Sequence, residues 1–458
     1  MKRLDVDSAV IGGGVTGLCT AWELRKHLPP DSVVILEATD RPGGTALTDR
    51  FDGWTVDHGP NGFLDREPLT LRWINELGLQ DRLLPASRSA ARRFLYRNGA
   101  LRELLPPPRF LFSPVLSVRG RFRLCMEPLI PPRHDIVLPE TVHAFATRRI
   151  GREAARKLVG AMVLGVYGGD AEQLEMISCF PRLVEMEQQY GSLFKALKVR
   201  RRENPGASPM GPGGWLTSFR GGIETLAETA GRHMNSILRL NDPVTVITPE
   251  NGGFTVHTAA GLAVRVRRIF LACPTWQAAR LIAPIHDTAG RALSDIPYAP
   301  IAVIALGYSK SSVGHPLDGF GFLVPRGEGL RVLGCLWTSS IFPDQAPGDH
   351  VLLRVMMGGA VDPHALDLSD NELFNTVLSE LTPLLRLESP PLWVRFYRYP
   401  RGIPQYTLGH AVRLESLSEV ERVHPGLYFC GNAYRGVGLN DCVVSAVTAV
   451  RRAMGITA

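Results

Sequence analysis

Paired cysteines are missing from this sequence. Seven cysteines stand far apart, their number is odd, and no CxxC pair occurs. This arrangement argues against a disulfide framework, a metal centre and a redox-active dithiol, and it favours a reducing compartment. We therefore expect a cytoplasmic protein without a metal site. The cysteines are Cys19, Cys125, Cys179, Cys273, Cys335, Cys430 and Cys442.

Long apolar runs are also missing. No stretch approaches the roughly 18 consecutive apolar residues of a membrane-spanning helix. A glycine-rich segment begins at Gly12, before the apolar region of a signal peptide could form. The net charge of +7 is modest, and no array of basic residues interleaved with aromatics suggests nucleic-acid binding. Anionic small molecules or a membrane surface are better candidate partners.

Motifs of nucleophilic and metal catalysis are absent as well. The sequence contains no HExxH and no nucleophile elbow, and its histidines are scattered. His58 can be interpreted as a base or as a structural histidine beside a cofactor, and we favour the second interpretation. No side chain is assigned a catalytic role of its own.

What the chain does contain is a glycine-rich turn near its N-terminus. A short apolar run ends in Gly12-Gly13-Gly14-Val15-Thr16-Gly17 and passes into the pattern of a buried helix. In a dinucleotide-binding unit these glycines permit the tight turn, the approach of backbone to the pyrophosphate and the packing of helix on strand. The free N–H groups of the helix then face the phosphates.

Two further features point to FAD rather than NAD. A second strand delivers Glu37 about twenty residues after the last glycine, where a carboxylate accepts both ribose hydroxyls. Arg41-Pro42-Gly43-Gly44-Thr45 then forms a second glycine turn. Flavoproteins of the glutathione-reductase and amine-oxidase type carry such a turn, whereas NAD folds do not need it. The pattern therefore predicts FAD as the cofactor.

A second nucleotide site is not apparent. Gly319-Phe320-Gly321 and Gly436-Val437-Gly438 lack the third glycine and the acidic partner. Reductases and flavin monooxygenases that use a nicotinamide are therefore disfavoured. We expect electrons to come from an organic substrate and to leave to oxygen or another acceptor.

The order of elements predicts a mixed α/β and α+β fold of roughly three domain-sized units. Short apolar strands after residue 300 suggest an antiparallel sheet, and a linker rich in proline and glycine at 202–214 marks a boundary. We predict a discontinuous Rossmann-like FAD-binding domain (1–75, 215–290 and 405–458), a mostly helical domain facing a substrate channel or a membrane (76–214), and a substrate-binding sheet domain (291–404).

Two helices bear on the site. Thr141 to Val163 has the apolar stripe of one helix. Another is predicted to begin at Asn440-Asp441 and to run to about Met454. Its N-terminus is expected to face the N1/O2 edge of the flavin, where its partial positive charge favours the anionic reduced form. Asp441 also suits a helix cap, and the two roles are compatible.

Positive charge is concentrated in one stretch. Ten arginines lie between Arg88 and Arg133, against two acids, Glu103 and Glu127. Prolines and apolar pieces such as Phe110-Leu111-Phe112 alternate with them. The stretch is either a solvated arginine face or a basic, partly apolar surface for carboxylates or lipid headgroups, and the sequence leaves both interpretations open.

The chain resembles the flavin-dependent porphyrinogen oxidases of haem biosynthesis, within the flavin amine oxidase superfamily. The resemblance spans nearly the whole chain, and it departs at Gly168, where alanine is usual, and at Glu175, where serine is common. The segments that carry it are Glu140 to Phe145, Arg148 to Gly151, Leu164 to Asp170, Phe180 to Leu183, Gly191 to Leu193, Pro404 to Tyr406, Gly431-Asn432 and Gly436 to Cys442.

The resemblance implies a set of site residues. Arg93 would pair with a substrate propionate, while Gly165, Leu323 and Phe342 would enclose the macrocycle. From the residues alone, Arg93 would be a solvated side chain and Phe342 a core residue. The implied FAD contacts are Gly12, Gly13, Gly14, Val15, Thr16, Gly17, Glu37, Ala38, Arg41, Gly44, Thr45, Gly59, Pro60, Asn61, Gly62, Val244, Val437, Gly438 and Leu439.

The implied activity is the six-electron oxidation of protoporphyrinogen IX to protoporphyrin IX, using three O2 and producing H2O2. Oxidation of coproporphyrinogen III to coproporphyrin III is the alternative. A flavin amine oxidase is a more distant one, although its aromatic cage would find only Tyr434 in the tail, and a further alternative is an FAD-bound protein without catalysis. Peripheral contact with the inner face of the cell membrane, hand-off to ferrochelatase and a homodimer are left open.

Overall fold

The computed structural model describes residues 2–105, 114–133, 139–203 and 214–456. The apolar piece Phe110-Leu111-Phe112 and nearly all of the 202–214 linker lie outside the described residues, so those two predictions have no structural counterpart here.

The strands are described in chain order. They are β1 Lys2–Asp5, β2 Ser8–Ile11, β3 Val33–Leu36, β4 Thr48–Phe51, β5 Trp54–Asp57, β6 Phe63–Leu64, β7 Leu83–Pro85, β8 Phe94–Arg97, β9 Ala100–Glu103, β10 Leu216–Phe219, β11 Leu238–Arg239, β12 Val244–Glu250, β13 Gly253–Thr258, β14 Leu262–Val266, β15 Arg268–Leu271, β16 Tyr298–Ser309, β17 Gly321–Leu323, β18 Val332–Trp337, β19 His350–Gly358, β20 Trp393–Pro404 and β21 Leu427–Phe429.

The helices follow the same order. They are α1 Val15–Leu24, α2 Pro68–Glu76, α3 Val118–Cys125, α4 Val142–Ile150, α5 Arg152–Ala154, α6 Gly160–Tyr167, α7 Met176–Cys179, α8 Pro181–Tyr190, α9 Leu193–Glu203, α10 Glu224–His233, α11 Thr275–Ile282, α12 Asp287–Ser294, α13 Thr338–Ile341, α14 Asp370–Leu385, α15 His410–Val423 and α16 Leu439–Met454.

A five-stranded parallel sheet, in the order β11-β3-β2-β15-β21, holds the glycine-rich turn. Every residue of Val33–Leu36 is buried, as expected for a parallel strand covered on both faces. Helices α1, α10 and α16 pack on one face. The antiparallel strands β12 to β14 and the helices α11 and α12 cover the other.

A seven-stranded mixed sheet, in the order β20-β16-β19-β18-β17-β8-β9, forms the second layer. One face packs against α14 through side chains such as Leu373 and Val377. The opposite face meets β5 through Ala305 and Leu352, and α6 through Val303. This second face is called the inner face below.

Strands β8 and β9 fall in the stretch that we expected to be mostly helical, and that expectation was too broad there. They form a hairpin whose turn residues, Asn98 and Gly99, both have positive φ, +48° and +78°. Asn-Gly between two short apolar segments is a strong hairpin signal because both residues tolerate this conformation.

The single helix predicted over Thr141 to Val163 is wrong in one respect, because it is interrupted at Gly151. That residue has a φ of +89°, and α4 ends just before it. Arg123 donates hydrogen bonds to the carbonyls of Arg148 (2.7 Å) and Arg149 (3.1 Å), which satisfies the free end of the helix. The chain then continues through α5 and a π-helical turn at Ala155–Val159 into α6.

The last predicted helix is confirmed. α16 runs from Leu439 to Met454, and the carboxylate of Asp441 accepts a hydrogen bond from the backbone N–H of Gly438 at 2.9 Å. Within the described ranges, no helix combines the length and the apolar character needed to cross a membrane.

Candidate cofactor and substrate site

The glycine-rich turn between β2 and α1 is closed too tightly for side chains at two positions. Gly12 has a φ of +105°, and a Cβ there would lie 2.9 Å from the carbonyl oxygen of Ala272. A Cβ on Gly17 would collide with the carbonyl oxygen of Gly12. Both glycines are therefore required by the fold, independently of any ligand.

Gly14 differs from these two because the space beside it is open. A Cβ there would meet only the Cα of Gly44, at 3.9 Å. Helix α1 begins at the next residue without a side-chain cap and without an acidic residue in its first turn. Among the described residues no side chain caps the first N–H groups of α1, an arrangement that fits a phosphate.

Glu37 closes the other side of the turn. One carboxylate oxygen accepts a hydrogen bond from the backbone N–H of Gly13 at 2.5 Å, and the other accepts two from Thr39 at 2.8 Å each. The backbone N–H of Gly43 donates to the carbonyl of Gly13, which brings the second glycine turn against the first. The carboxylate keeps free lone pairs for ribose hydroxyls.

The segment from Gly59 to Gly62 packs against the same centre. A Cβ on Gly59 would collide with the carbonyl oxygen of Thr45, and one on Gly62 would lie 2.7 Å from that of Thr217. Within this segment the buried Nδ2 of Asn61 has no hydrogen-bond partner among the described residues.

The N-terminus of α16 completes the arrangement. Leu439 packs in the same cluster as Val15 and Phe63. Asn440 donates from Nδ2 to the carbonyl of Leu64 at 2.8 Å, while its buried Oδ1 has no partner in the part of the chain that is described. The start of the helix therefore faces the Gly59–Gly62 segment.

The structure brings the sequence-predicted cofactor residues to one connected region. The adenine-side residue Val244 follows Asp242, whose N–H donates to the carbonyl of Glu37 at 3.0 Å. Arg41 lies beside the second turn with its side chain half exposed, 3.5 Å from Glu224. The open helix end, the crowded glycines and the unpaired polar atoms of Asn61 and Asn440 all fit a dinucleotide that runs from Glu37 to α16.

The sequence-predicted substrate residues lie on or beside the inner face of the seven-stranded sheet. Arg93 immediately precedes β8, and Leu323 of β17 pairs in register with Leu95. Leu95 and Leu323 pack in one cluster, while Phe94 and Phe322 pack in the core on the opposite face. Gly165 of α6 packs directly on Leu323, since a Cβ there would lie 3.0 Å from its Cδ1.

Arg93 is exposed to solvent, and yet burial lowers the pKa of its guanidinium. The two observations agree if the side chain extends into an open cavity whose walls surround it. Its guanidinium lies 5.1 Å from the centre of the Phe320 ring. In the described part of the chain no carboxylate pairs with Arg93, so its guanidinium is a cation without a protein anion beside it.

Phe342 does not reach this cavity. Its side chain has no exposed surface and packs with Leu84, Ala90 and Ile341. The half-buried ring that packs against this cluster, and on which Arg93 stacks, belongs to Phe320. Phe320 is therefore a candidate site residue that the sequence does not single out, because Gly319-Phe320-Gly321 stands out in the sequence only as an incomplete nucleotide motif.

An apolar cleft adjoins the predicted flavin contact at Val437. It lies between α4, α6 and α8 and has a cavity volume of about 50 Å³. Val437 packs against the same apolar cluster as Phe180 and Leu183, two residues of the cleft wall. The cleft therefore borders the start of α16. Its lining consists of Val142, Phe145, Ala146, Arg149, Ile150, Val159, Met162, Met176, Phe180, Leu183 and Leu193.

His58 and Tyr434 have structural surroundings. His58 stacks on Tyr397 with ring centres 3.9 Å apart, its Nε2 lies 2.9 Å from Asp49, and burial lowers its pKa. Tyr434, which an aromatic cage would use, is buried and packs against Phe429. These positions favour the structural interpretation of His58 and give no support to an amine-oxidase cage at Tyr434.

Comparisons with known proteins relate the chain to flavin containing amine oxidoreductases and to porphyrinogen oxidases. Residues 15–454 match the model of the flavin containing amine oxidoreductase family. The chain is 32% identical to protoporphyrinogen oxidase 1 of Arabidopsis thaliana chloroplasts, over 97% of this chain and 87% of that protein. It is 27% identical to coproporphyrinogen III oxidase of Bacillus subtilis, over 97% of each. A crystal structure of a presumed protoporphyrinogen oxidase from Exiguobacterium sp. 255-15 matches with a TM-score of 0.83 at 27% identity, covering 98% of each chain.

Proposed function

This chain belongs to the family of flavin containing amine oxidoreductases, and we propose that it is an oxidase that converts a porphyrinogen to a porphyrin. The predicted FAD cofactor, the predicted oxidoreductase class and the predicted Rossmann-like fold are confirmed by that membership and by the related structures. The curated relatives named as protoporphyrinogen and coproporphyrinogen III oxidases support the substrate class.

The observation that carries the proposal is the unpaired guanidinium of Arg93. A porphyrinogen is an apolar macrocycle with carboxylate side chains. A cation in an apolar cavity therefore offers such a molecule both burial and a charge-assisted hydrogen bond. Leu323 and Phe320 supply apolar surface beside that cation. Arg93 would thus orient the macrocycle through one of its carboxylates, while Leu323 and Phe320 would shield it from water.

The chain's own groups would act mainly by binding and orientation. The first turn of α1 would hold the pyrophosphate, Glu37 the ribose, and the start of α16 the ring edge that gains negative charge. When bound, FAD supplies the hydride acceptor. No side chain needs to act as a base, because the electron-rich substrate gives up hydride once it is positioned.

The stoichiometry follows from the electron count. Six electrons leave the macrocycle in three two-electron rounds. With oxygen as acceptor, one porphyrinogen and three O2 give one porphyrin and three H2O2. We lean to protoporphyrinogen IX, which carries two propionates, over coproporphyrinogen III, which carries four.

Steady-state assays with both substrates test the proposal. We expect porphyrin fluorescence to appear with either macrocycle and the larger kcat/KM with protoporphyrinogen IX. A preference of at least tenfold for coproporphyrinogen III would reverse that choice while leaving the reaction class intact. Turnover of polyamines without turnover of either macrocycle would instead favour an amine oxidase.

We also propose that α3 docks peripherally on an anionic lipid surface. Val118 and Phe122 of α3 are 74% and 69% exposed, and Leu129 in the turn that follows is 73% exposed. Arg119, also exposed, lies between the first two. An apolar surface with adjacent cationic side chains is typical of helices that lie in the headgroup region.

A cytoplasmic location at the inner face of the cell membrane fits both features of the chain. All seven cysteines are free, which suits a reducing compartment. A lipid-docked enzyme would also keep its apolar substrate and product near the bilayer. Transfer of the product to an iron-inserting enzyme such as ferrochelatase, and a homodimer, remain proposals at this stage.

A further inference from the structure

Arg354 is a buried arginine in the middle of the seven-stranded sheet. It lies on β19, and its side chain is only 4% exposed. Its cross-strand neighbours are Leu336 on β18 and Ala305 on β16. Ala305 packs with β5, and Leu336 packs with the Phe342 cluster, so Arg354 lies on the inner face.

The guanidinium of Arg354 donates only to backbone carbonyls. Its Nη2 donates to the carbonyl oxygen of His58 at 3.0 Å and also to that of Gly59. The buried Nε has no partner among the described residues. Arg354 therefore contacts the turn that leads into Gly59–Gly62, a segment that carries predicted FAD contacts.

No carboxylate in the described ranges forms an ion pair with Arg354. Asp57 acts on it electrostatically. The oxygens of Asp57, however, already accept hydrogen bonds from Thr48, Gln345 and the backbone N–H of Ile223. Burial lowers the pKa of Arg354. Burial therefore outweighs the attraction of Asp57, and no carboxylate is hydrogen-bonded to Arg354 within the described ranges. Such an arrangement is unfavourable for a cation, and perturbed charged groups recur where a ligand or a reaction brings opposite charge.

The position separates Arg354 from the substrate role given to Arg93. Arg93 is exposed in its cavity, whereas Arg354 is enclosed beneath the His58–Gly59 turn. The flavin ring is expected near Val437 to Leu439 at the start of α16, which lies against the segment that follows Gly59–Gly62. The ring gains negative charge when it is reduced.

We propose that Arg354 is the cation that stabilises the negative charge of the reduced flavin through the Gly59–Gly62 segment. This inference rests on the proposed function only for the position of FAD against that segment. Arg354 is a positioning and electrostatic residue, and it exchanges no atoms with substrate. Its charge should favour two-electron reduction of the flavin relative to a neutral side chain in the same place.

The test compares Arg354→Gln and Arg354→Lys with the wild-type holoenzyme. The midpoint potential of bound FAD is measured by equilibration with a reference dye. At a fixed potential, Arg354→Gln should lower the ratio of reduced to oxidised flavin at least tenfold. For a two-electron couple this corresponds to a midpoint potential that is about 30 mV lower. Arg354→Lys keeps the charge and should stay within threefold.

Sulfite provides a second equilibrium measurement. The sulfur lone pair of sulfite forms a bond to the oxidised flavin, and no external electron donor or acceptor takes part. The flavin ring acquires one negative charge in the adduct. Bleaching of the flavin band gives the Kd. We expect Arg354→Gln to weaken sulfite binding at least tenfold. Arg398→Gln is the matched control, because Arg398 lies on the same sheet but binds Asp370 and the carbonyl of Leu366.

The inference is overturned if both the reduced-to-oxidised ratio at a fixed potential and the sulfite Kd of Arg354→Gln stay within threefold of wild type. Arg354 would then only stabilise the conformation of the turn. If Arg354→Gln does not retain FAD, the midpoint potential is measured in Leu336→Glu instead. This variant adds a carboxylate beside an intact Arg354. That variant should lower the potential in the same way, and an unchanged potential would again overturn the inference. A wild-type protein that binds no FAD would refute the proposed function itself, a distinct outcome.

Discussion

Arg93 and Arg354 lie in one cross-strand row on the inner face of the seven-stranded sheet. Arg354 pairs with Leu336, Leu336 pairs with Gly321, and Arg93 precedes β8 beside Gly321. Three strand spacings separate the two arginines, about 14 Å. Neither has a carboxylate partner among the described residues, and they differ in that Arg93 is open to a cavity while Arg354 is enclosed. Two cations at this separation can address two different anions, a substrate carboxylate and the reduced cofactor.

Arg93→Ala should raise KM by between about ten- and a hundredfold, the effect of losing one charge-assisted hydrogen bond. The loss should fall on KM more than on kcat, because the propionate is held alike in the ground and transition states. Steady-state kinetics check this. Arg92→Ala is the matched control, since Arg92 is already paired with Glu103 and Asp318. An unchanged KM in Arg93→Ala would remove Arg93 from the site.

Gly14→Ala should weaken FAD binding at least tenfold while leaving the fold intact. Gly14 has a φ of −69°, which alanine adopts readily, and its Cβ would meet only Gly44 within the protein. The methyl group would instead occupy space expected for the pyrophosphate. Titration of the apoprotein with FAD measures the Kd, and circular dichroism measures the fold. Gly348→Ala, where nothing lies near the added Cβ, is the control. Equal FAD affinity in both variants would place the pyrophosphate elsewhere.

Phe122→Glu should abolish sedimentation of the protein with vesicles that contain a third phosphatidylglycerol, whereas the wild type should sediment with them. A carboxylate on α3 both removes apolar contact and repels the anionic surface. Val412→Glu is a suitable control because Val412 is 60% exposed on a different helix. Equal sedimentation of wild type and Phe122→Glu would refute docking through α3. The alternative result is a wild type that stays in solution as a dimer and that Phe122→Glu converts to a monomer. That result would show that the exposed apolar face of α3 binds a second copy of this chain.

Glu127→Gln should destabilise the helical part of the chain by about 3 kcal/mol, the lower end of the cost of breaking a buried ion pair, because Arg149 keeps a second carboxylate, Glu187, at 3.3 Å. Glu127 and Arg149 form an ion pair in which neither side chain is exposed, and Glu127 also accepts from Ser192 and from the start of α9. The midpoint of urea unfolding, followed by tryptophan fluorescence and by resistance to protease, measures the change. Arg422→Ala removes an exposed ion pair with Glu419 and should have little effect. Equal midpoints for both variants would contradict the role given to the pair.

The sequence was informative where the signal is local. The glycine turn, the strand that ends at Glu37 and the last helix depend on neighbouring residues, so spacing alone predicted them. The Asn98-Gly99 hairpin was also local, and it was missed because the arginine content of that stretch drew the interpretation toward helix and surface.

The other differences arise from contacts between distant segments. The interruption at Gly151 depends on Arg123, which caps the preceding helix from another element. The burial of Phe342 and the half-buried position of Phe320 depend on packing with Leu84, far earlier in the chain. Arg354 becomes notable only because the fold places His58 above it, nearly 300 positions earlier in the chain. Spacing in the sequence carries no information about such pairs.

The most direct measurement mixes purified, FAD-loaded protein with one equivalent of protoporphyrinogen IX without oxygen, and follows absorbance and fluorescence. We expect the oxidised flavin band to bleach in a single turnover and its colour to return when oxygen is admitted. Excess oxygen should then yield protoporphyrin fluorescence with three H2O2 for each porphyrin. A flavin band that stays unchanged with both protoporphyrinogen IX and coproporphyrinogen III would contradict the proposed function.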